Sequence, residues 1–284
     1  MCTHLKNILL CFIIGIIYIS TFAQTLTDES FRKEEDSIRY LLNVINKTHN
    51  DDSKILIETR IDSLFEKVLS NSESYNYPFD SLTSVGHIYS PDRLFRIITW
   101  NIALENGTYK YHGYIQTFNI KTKEYKYFHL NDCKENIIDP EHTILNADKW
   151  FGALYYNIIP QKANNMNYYT LLALQYYNIN ISHKIIEILY FNDSGEPVFG
   201  APIIQEDKKL YNRLVFRYSA QVAMNLRFDK KLKMIIFDHL SPVEQRYTGE
   251  YEYYGPDLSY DGLEFKNNLW VYKSNIDLPK PDAK

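Results

Sequence analysis

"FRIITWNIALENGTYKYHGYIQTF", residues 95–118, decides how this chain is read. In an extended chain successive side chains point to opposite faces. Ile98, Trp100, Ile102 and Leu104 therefore share one face, and Ile97, Thr99, Asn101 and Ala103 the other. After the break, Tyr109, Tyr111, Gly113 and Ile115 alternate with Lys110, His112, Tyr114 and Gln116. Asn106-Gly107 between the two runs predicts a tight hairpin turn with two positive-φ residues.

Downstream the same period continues. Strand-like runs fall at 124–130, 149–159, 168–176, 184–191, 213–219, 222–228 and 232–238. Turn chemistry separates them: "NDSGEP" at 192–197, "DKK" at 229–231, "DG" at 261–262. "GEPVFGAP" (195–202) reads as a bend between strands. Short strands without helical patterns between them predict an antiparallel sheet protein.

Upstream the period is 3.6. Ile38, Leu41, Leu42 and Ile45 form one apolar stripe, and Ile57, Ile61, Leu64, Phe65 and Val68 a second. "NKTHNDDS" separates them, with Asp51, Asp52 or Ser53 as the expected cap. An antiparallel helical pair follows from the short connection. The fold class expected is α+β, mostly antiparallel β (meander, barrel or sandwich) with an N-terminal helical pair. A β-propeller is the alternative, because "YSPDRLFRIITW" and "LSYDGLEFKNNLWVY" share a loose Ser-x-Asp lead into a strand. No fixed repeat of that lead follows, as a propeller requires.

The first 23 residues read differently. His4 and Lys6 precede an apolar run from Ile8 to Ile19, then Ser20-Thr21-Phe22-Ala23. A basic start, a short apolar run and a small residue at the cut describe a secretory signal peptide. The run is too short for a membrane-spanning helix. The organisation expected is a leader at 1–23, a helical segment at 24–80 packing on the β portion, an antiparallel β domain at 81–276 and a polar tail at 277–284. Cleavage removes Cys2 and Cys11 and leaves Cys133, so no internal disulfide is expected. A destination outside the cytoplasm follows, in the periplasm or at the cell surface.

Composition narrows the function. The formal net charge is −4, and Lys/Arg clusters are no longer than pairs such as Lys208-Lys209 and Lys230-Lys231. Nucleic-acid binding needs clustered cations and is not expected. The 25 tyrosines and 15 phenylalanines suit pleated surfaces. No phosphate loop, G-x-G-x-x-G, G-x-S-x-G elbow or H-E-x-x-H occurs, and no cofactor is implied.

Three candidate sites remain. If strands around 250–254 and 269–273 pair, Tyr251, Tyr253, Trp270 and Tyr272 make one aromatic surface fit to stack on a sugar ring. The bland reading of the same four is core packing. Asp257, Ser259, Asp261 and Gly262 match positions 1, 3, 5 and 6 of a calcium loop, but Glu264 and Asn268 break the pattern at 8 and 12. The bland reading there is an Asp-Gly hairpin turn. "FDHLSP" (237–242) places Asp238, His239 and Ser241 together, yet neighbours in a strand face opposite ways, so Asp238 cannot orient His239.

"SPDRLFRIITWN", "KWFGALYYNII", "NDSGEPVFGAP", "MIIFDHLSP" and "YGPDLSYDGLEF" give the chain a resemblance to exported β-rich proteins of Gram-negative gut anaerobes of the Bacteroides type. The resemblance spans most of residues 85–270. It implies a periplasmic or surface location and one module without cofactor; it carries no catalytic residues. The function expected is a non-enzymatic binding module for a glycan, peptide or envelope partner. The alternative is a hydrolase that acts on an envelope or dietary polymer through scattered Asp/Glu residues.

Overall fold

The computed structural model describes residues 29–278. The leader expected at 1–23 and residues 279–284 of the tail lie outside the described residues. The chain divides into two compact units between Ser84 and Val85.

In the first unit, helix α1 runs over 29–45 and α2 over Asp51–Leu69. The cap of α2 is Asn50, whose side chain accepts from Ser53 N at 2.9 Å, and Asp51 and Asp52 occupy the first turn instead. Negative charge there favours the helix dipole. Lys67 near the end of α2 meets Glu34 near the start of α1 at 2.5 Å, which fits an antiparallel pair. Buried Glu35 is satisfied by the Tyr77 hydroxyl and the Ser81 amide.

Among its described residues the second unit is strand and turn with three short 3-10 helices. Strands β1 (Gly86–Tyr89), β2 (Phe95–Ala103), β3 (Tyr109–Phe118) and β4 (Tyr125–Asn131) form an antiparallel meander in chain order. A second sheet contains β5 (Leu145–Asn146), β6 (Leu154–Ala163), β7 (Met166–Tyr176), β8 (Ile181–Phe191) and β9 (Pro197–Phe199) in the order β5-β9-β8-β7-β6. Strand β12 (Arg213–Ser219) also joins β8. The third sheet contains β10 (Ile204–Glu206), β11 (Lys209–Tyr211), β13 (Leu226–Asp229), β14 (Met234–Pro242), β15 (Tyr254–Lys266) and β16 (Leu269–Lys273). Its order is β11-β10-β16-β15-β14-β13, with one parallel pair, β10 and β16.

Side-chain alternation shows how the sheets stack. Leu171, Ala173, Ile185 and Leu189 of the second sheet pack with Phe95, Ile97, Ile115 and Leu130 of the first. Their neighbours Leu172, Ile186 and Ile188 pack with Ile235, Phe237, Leu263 and Trp270 of the third. The second sheet is thus the middle layer, apolar on both faces, which explains runs such as "TLLAL" and "KIIEIL" that lack strict alternation. The unit is a layered antiparallel sandwich; it is neither a closed barrel nor a propeller.

Two turn expectations change, and two asparagine turns come to light. The β2–β3 loop has three residues, since Leu104 and Thr108 still pair, and Gly107 alone takes positive φ (78°). Asn106 serves by accepting from Thr108 N. Asp261-Gly262 is no turn: both lie inside β15, where a Cβ at Gly262 would stand 2.9 Å from the Ile235 carbonyl. The turn into β16 is Asn267-Asn268, at φ 53° and 66°, and Asn164-Asn165 does the same between β6 and β7, at 49° and 65°. Asparagine tolerates this left-handed region better than other non-glycine residues.

Among the described residues no helix is long and apolar enough to cross a membrane. Cys133 is a free thiol that points at the Asp148 carbonyl.

Candidate functional site

The four residues proposed as an aromatic surface do not share a face. Tyr251–Tyr253 is a short 3-10 turn and not a strand. Tyr253 stacks on Tyr247 at 4.1 Å, and Tyr251 leans on Tyr254. Trp270 is 1% exposed in the core and donates its indole N–H to Thr170 Oγ1 at 2.8 Å. It pairs with Phe265, so roughly 30 Å of β15 separates it from Tyr254. Tyr272 packs on Phe237 and donates to Asp261. Burial first, then Asp261, holds its phenol well above the usual tyrosine range. Tyrosine's strand preference is outweighed at 251–253 by local turn geometry.

The three calcium candidates do not converge either. Asp257 Oδ1 accepts from the amide and hydroxyl of Ser259. Asp261 is buried and receives His239 Nδ1 at 2.7 Å, the Tyr272 hydroxyl at 2.5 Å and Asn275 N at 3.0 Å. Among the described residues no group of three or more His, Cys, Asp or Glu is placed to hold a metal ion.

His239 owes its position to an irregular register. Asp238 pairs with Tyr260 and Leu240 with Pro256, so Asp257, Leu258 and Ser259 stand opposite one residue, His239. Leu258 in that bulge is 91% exposed at φ 75°. As expected, Asp238 does not orient His239; it accepts from Asn225 N at 2.7 Å. The partner of His239 is Asp261 on the next strand, which adjacency in sequence could not reveal.

The concave candidate lies where the first and second sheets meet at one end. A cleft of about 560 Å³ opens between the β3–β4 hairpin and the turn after β8. That is within the usual size range of small-ligand sites. Its apolar lining is Leu94, Phe118, Ile120, Tyr169 and Phe191. Phe95 supports the last two from below, edge-on to Tyr169 at 4.7 Å and tilted on Phe191 at 5.2 Å. The Tyr169 hydroxyl donates to Asp92 Oδ2 at 2.7 Å, and burial raises its pKa.

Both lips are asparagine turns. Asn119 Oδ1 accepts from the amides of Lys121 and Thr122, and Asn192 Oδ1 from those of Ser194 and Glu196. Phe118 stacks on Tyr125 at 4.7 Å across the hairpin, and Phe118 N donates to the Leu94 carbonyl. Asn167, Glu124 and Asp193 complete the polar rim. "NDSGEP" was read as a turn, but none of these residues was singled out as a site, because a cleft made by two distant turns leaves no local motif.

No family model, curated protein or solved structure matches the chain.

Proposed function

We propose that the protein is an exported binding module whose sandwich cleft takes a saccharide. The observation that carries this reading is the pairing of half-buried rings, Phe118 and Phe191, with amide and carboxylate groups on one concave surface. Sugar rings offer C–H faces to aromatic side chains and hydroxyls to Asn and Asp. The leader-like start supports export, and the cleft fits a glycan partner better than a flat protein surface.

Calorimetric titration with a panel of oligosaccharides tests it. Binding that drops about five- to tenfold in Phe118→Ala, with an unchanged melting temperature, is the expected result, since one stacked ring contributes roughly 1–1.5 kcal/mol. Absence of saccharide binding, or binding indifferent to Phe118, overturns it. A hydrolytic reading draws on Glu124 and Asp193, two carboxylates in the same cleft. Release of reducing ends by the wild type, lost in Glu124→Gln or Asp193→Asn, would put it in place of simple binding.

A further inference from the structure

The charges around this cleft are unevenly placed. The segment 119–126, "NIKTKEYK", carries Lys121, Lys123 and Lys126 against Glu124, in a chain whose net charge is −4. All three lysines are exposed. Lys121 and Lys126 line the cleft, while the ammonium of Lys123 sits 5.7 Å over the Phe118 ring. Asn119 turns the chain so that these cations stand on one lip. Among the described residues, Lys121 and Lys126 make no ion pair with a carboxylate of the chain. The opposite lip presents Asp193, a hydroxyl acceptor.

From this placement we infer that the cleft selects an anionic saccharide, one whose ring carries a carboxylate or sulfate. The inference rests on the saccharide reading above. A neutral sugar fills the aromatic floor and donates hydroxyls to Asp193, but leaves both cleft ammoniums facing water. An acidic sugar places its anion against Lys121 and Lys126 while its hydroxyls still reach Asp193. Hydrogen bonds with a charged partner are roughly twice as strong as neutral ones. Lysine suits either anion, because it acts as a point charge without the planar fork that favours carboxylate.

The experiment is a titration of the whole protein with an oligogalacturonate, a sulfated galactan oligomer and the neutral galactose oligomer of the same length. The expected result is a preference of about tenfold or more for one or both anionic ligands, the increment of one charge-assisted hydrogen bond. That preference should shrink as salt rises from about 50 to about 500 mM, because exposed charges are screened. It should vanish in the Lys121→Ala/Lys126→Ala double variant. The carboxylate and sulfate arms tell the two anions apart. Equal binding of the neutral oligomer, or a preference that survives the double variant, overturns the inference and leaves the saccharide reading standing. Binding of none of the three, with Phe118→Ala also silent across the wider panel, overturns both.

Discussion

His239 Nδ1 lies 2.7 Å from Oδ2 of Asp261, across the strand pair β14–β15 and 22 residues away in sequence. The carboxylate is buried, while the imidazole is nearly half exposed. Between them the register slips, so three residues of β15 face His239 alone. Asp261 therefore works as a knot. It gathers a side chain from β14, the Tyr272 hydroxyl from β16 and the backbone of Asn275 beyond β16.

Removing that carboxylate leaves three donors without an acceptor, one of them, the Tyr272 hydroxyl, on a half-buried residue. Asp261→Ala should cost about 2–4 kcal/mol: roughly 1–3 kcal/mol for the unfilled Tyr272 hydroxyl, and less for each of the two exposed donors, which water rescues. Tyr272→Phe removes one donor and should cost about 1 kcal/mol. His239→Ala should cost less, since its ring is already solvated. Urea denaturation of the three variants checks the order; an Asp261→Ala protein as stable as wild type would remove the knot from the account.

Trp270 was open to two readings, a sugar platform or a core residue, and its burial beside Thr170 and Phe265 favours the core. Trp270→Ala should lose about 3–5 kcal/mol, the usual range for a large buried ring. Trp270→Phe should lose less and mainly forfeit the bond to Thr170. The measurement is a denaturant midpoint with the m-value monitored, so that a loss of cooperativity is not mistaken for a loss of stability.

The period of the sequence carried the fold class, and the reason is visible in β2. Every residue from Phe95 to Trp100 is buried, yet the two faces of that run go to different neighbours. Ile97 packs in the core between the first two sheets. Trp100 stacks on its cross-strand partner His112 at 5.2 Å, and Tyr114 on its partner His129 at 4.8 Å. Alternation gives pairing but not which layers stack, so the middle position of β7 and β8 was not readable. Turn chemistry misled where it looked strongest. Asp261-Gly262 resembles a hairpin turn, but Gly262 is there because Ile235 O and Ile276 approach too closely for a side chain. The true turn, Asn267-Asn268, touches its counterpart through Asn268 Nδ2 and Asn164 Oδ1 at 3.2 Å, a relation 104 residues long. The cleft was illegible for the same reason: Phe118 and Phe191, 73 residues apart, line one cleft only because the sheets that carry them pack together.

His183 sets a pH dependence. Its Nδ1 donates to Gln175 Oε1 at 2.7 Å, and Gln175 in turn donates to the carbonyls of Phe151 and Gly152. Tyr177 stacks on the ring, and Arg217 is its cross-strand partner. Burial first, then the charge of Arg217, lowers the imidazole pKa to about 3. In the unfolded chain the same group titrates near 6.5, so between those values the unfolded state binds more protons. The contribution is complete above about pH 6.5 and is lost by roughly 1.4 kcal/mol per unit as the pH falls toward 3. Between pH 7 and 5 the wild type should lose about 2 kcal/mol more than His183→Gln, which lacks the titration. Chemical denaturation at both pH values measures the difference of slopes. Parallel losses in the two proteins would mean that His183 is not held neutral.

Arg213 and Glu187 are cross-strand partners on β12 and β8, both fully buried, with Arg213 Nε at 2.9 Å and 3.0 Å from the two carboxylate oxygens. The remaining guanidinium nitrogens donate to the carbonyls of Pro140, Thr143 and Phe199. Burial raises the Glu187 pKa, while Arg213 opposes that rise. A buried pair stabilises only modestly over apolar packing, but a lone buried charge is expensive. Arg213→Met should thus cost about 3–5 kcal/mol, and Arg213→Met/Glu187→Leu should recover much of it. The double variant still leaves three carbonyls of the 139–143 loop and Phe199 without their donor. Its amide hydrogens around 139–143 should exchange faster than in the wild type even where global stability returns. A double variant no more stable than the single one would show that the loop anchor, and not the charge pair, dominates at this site.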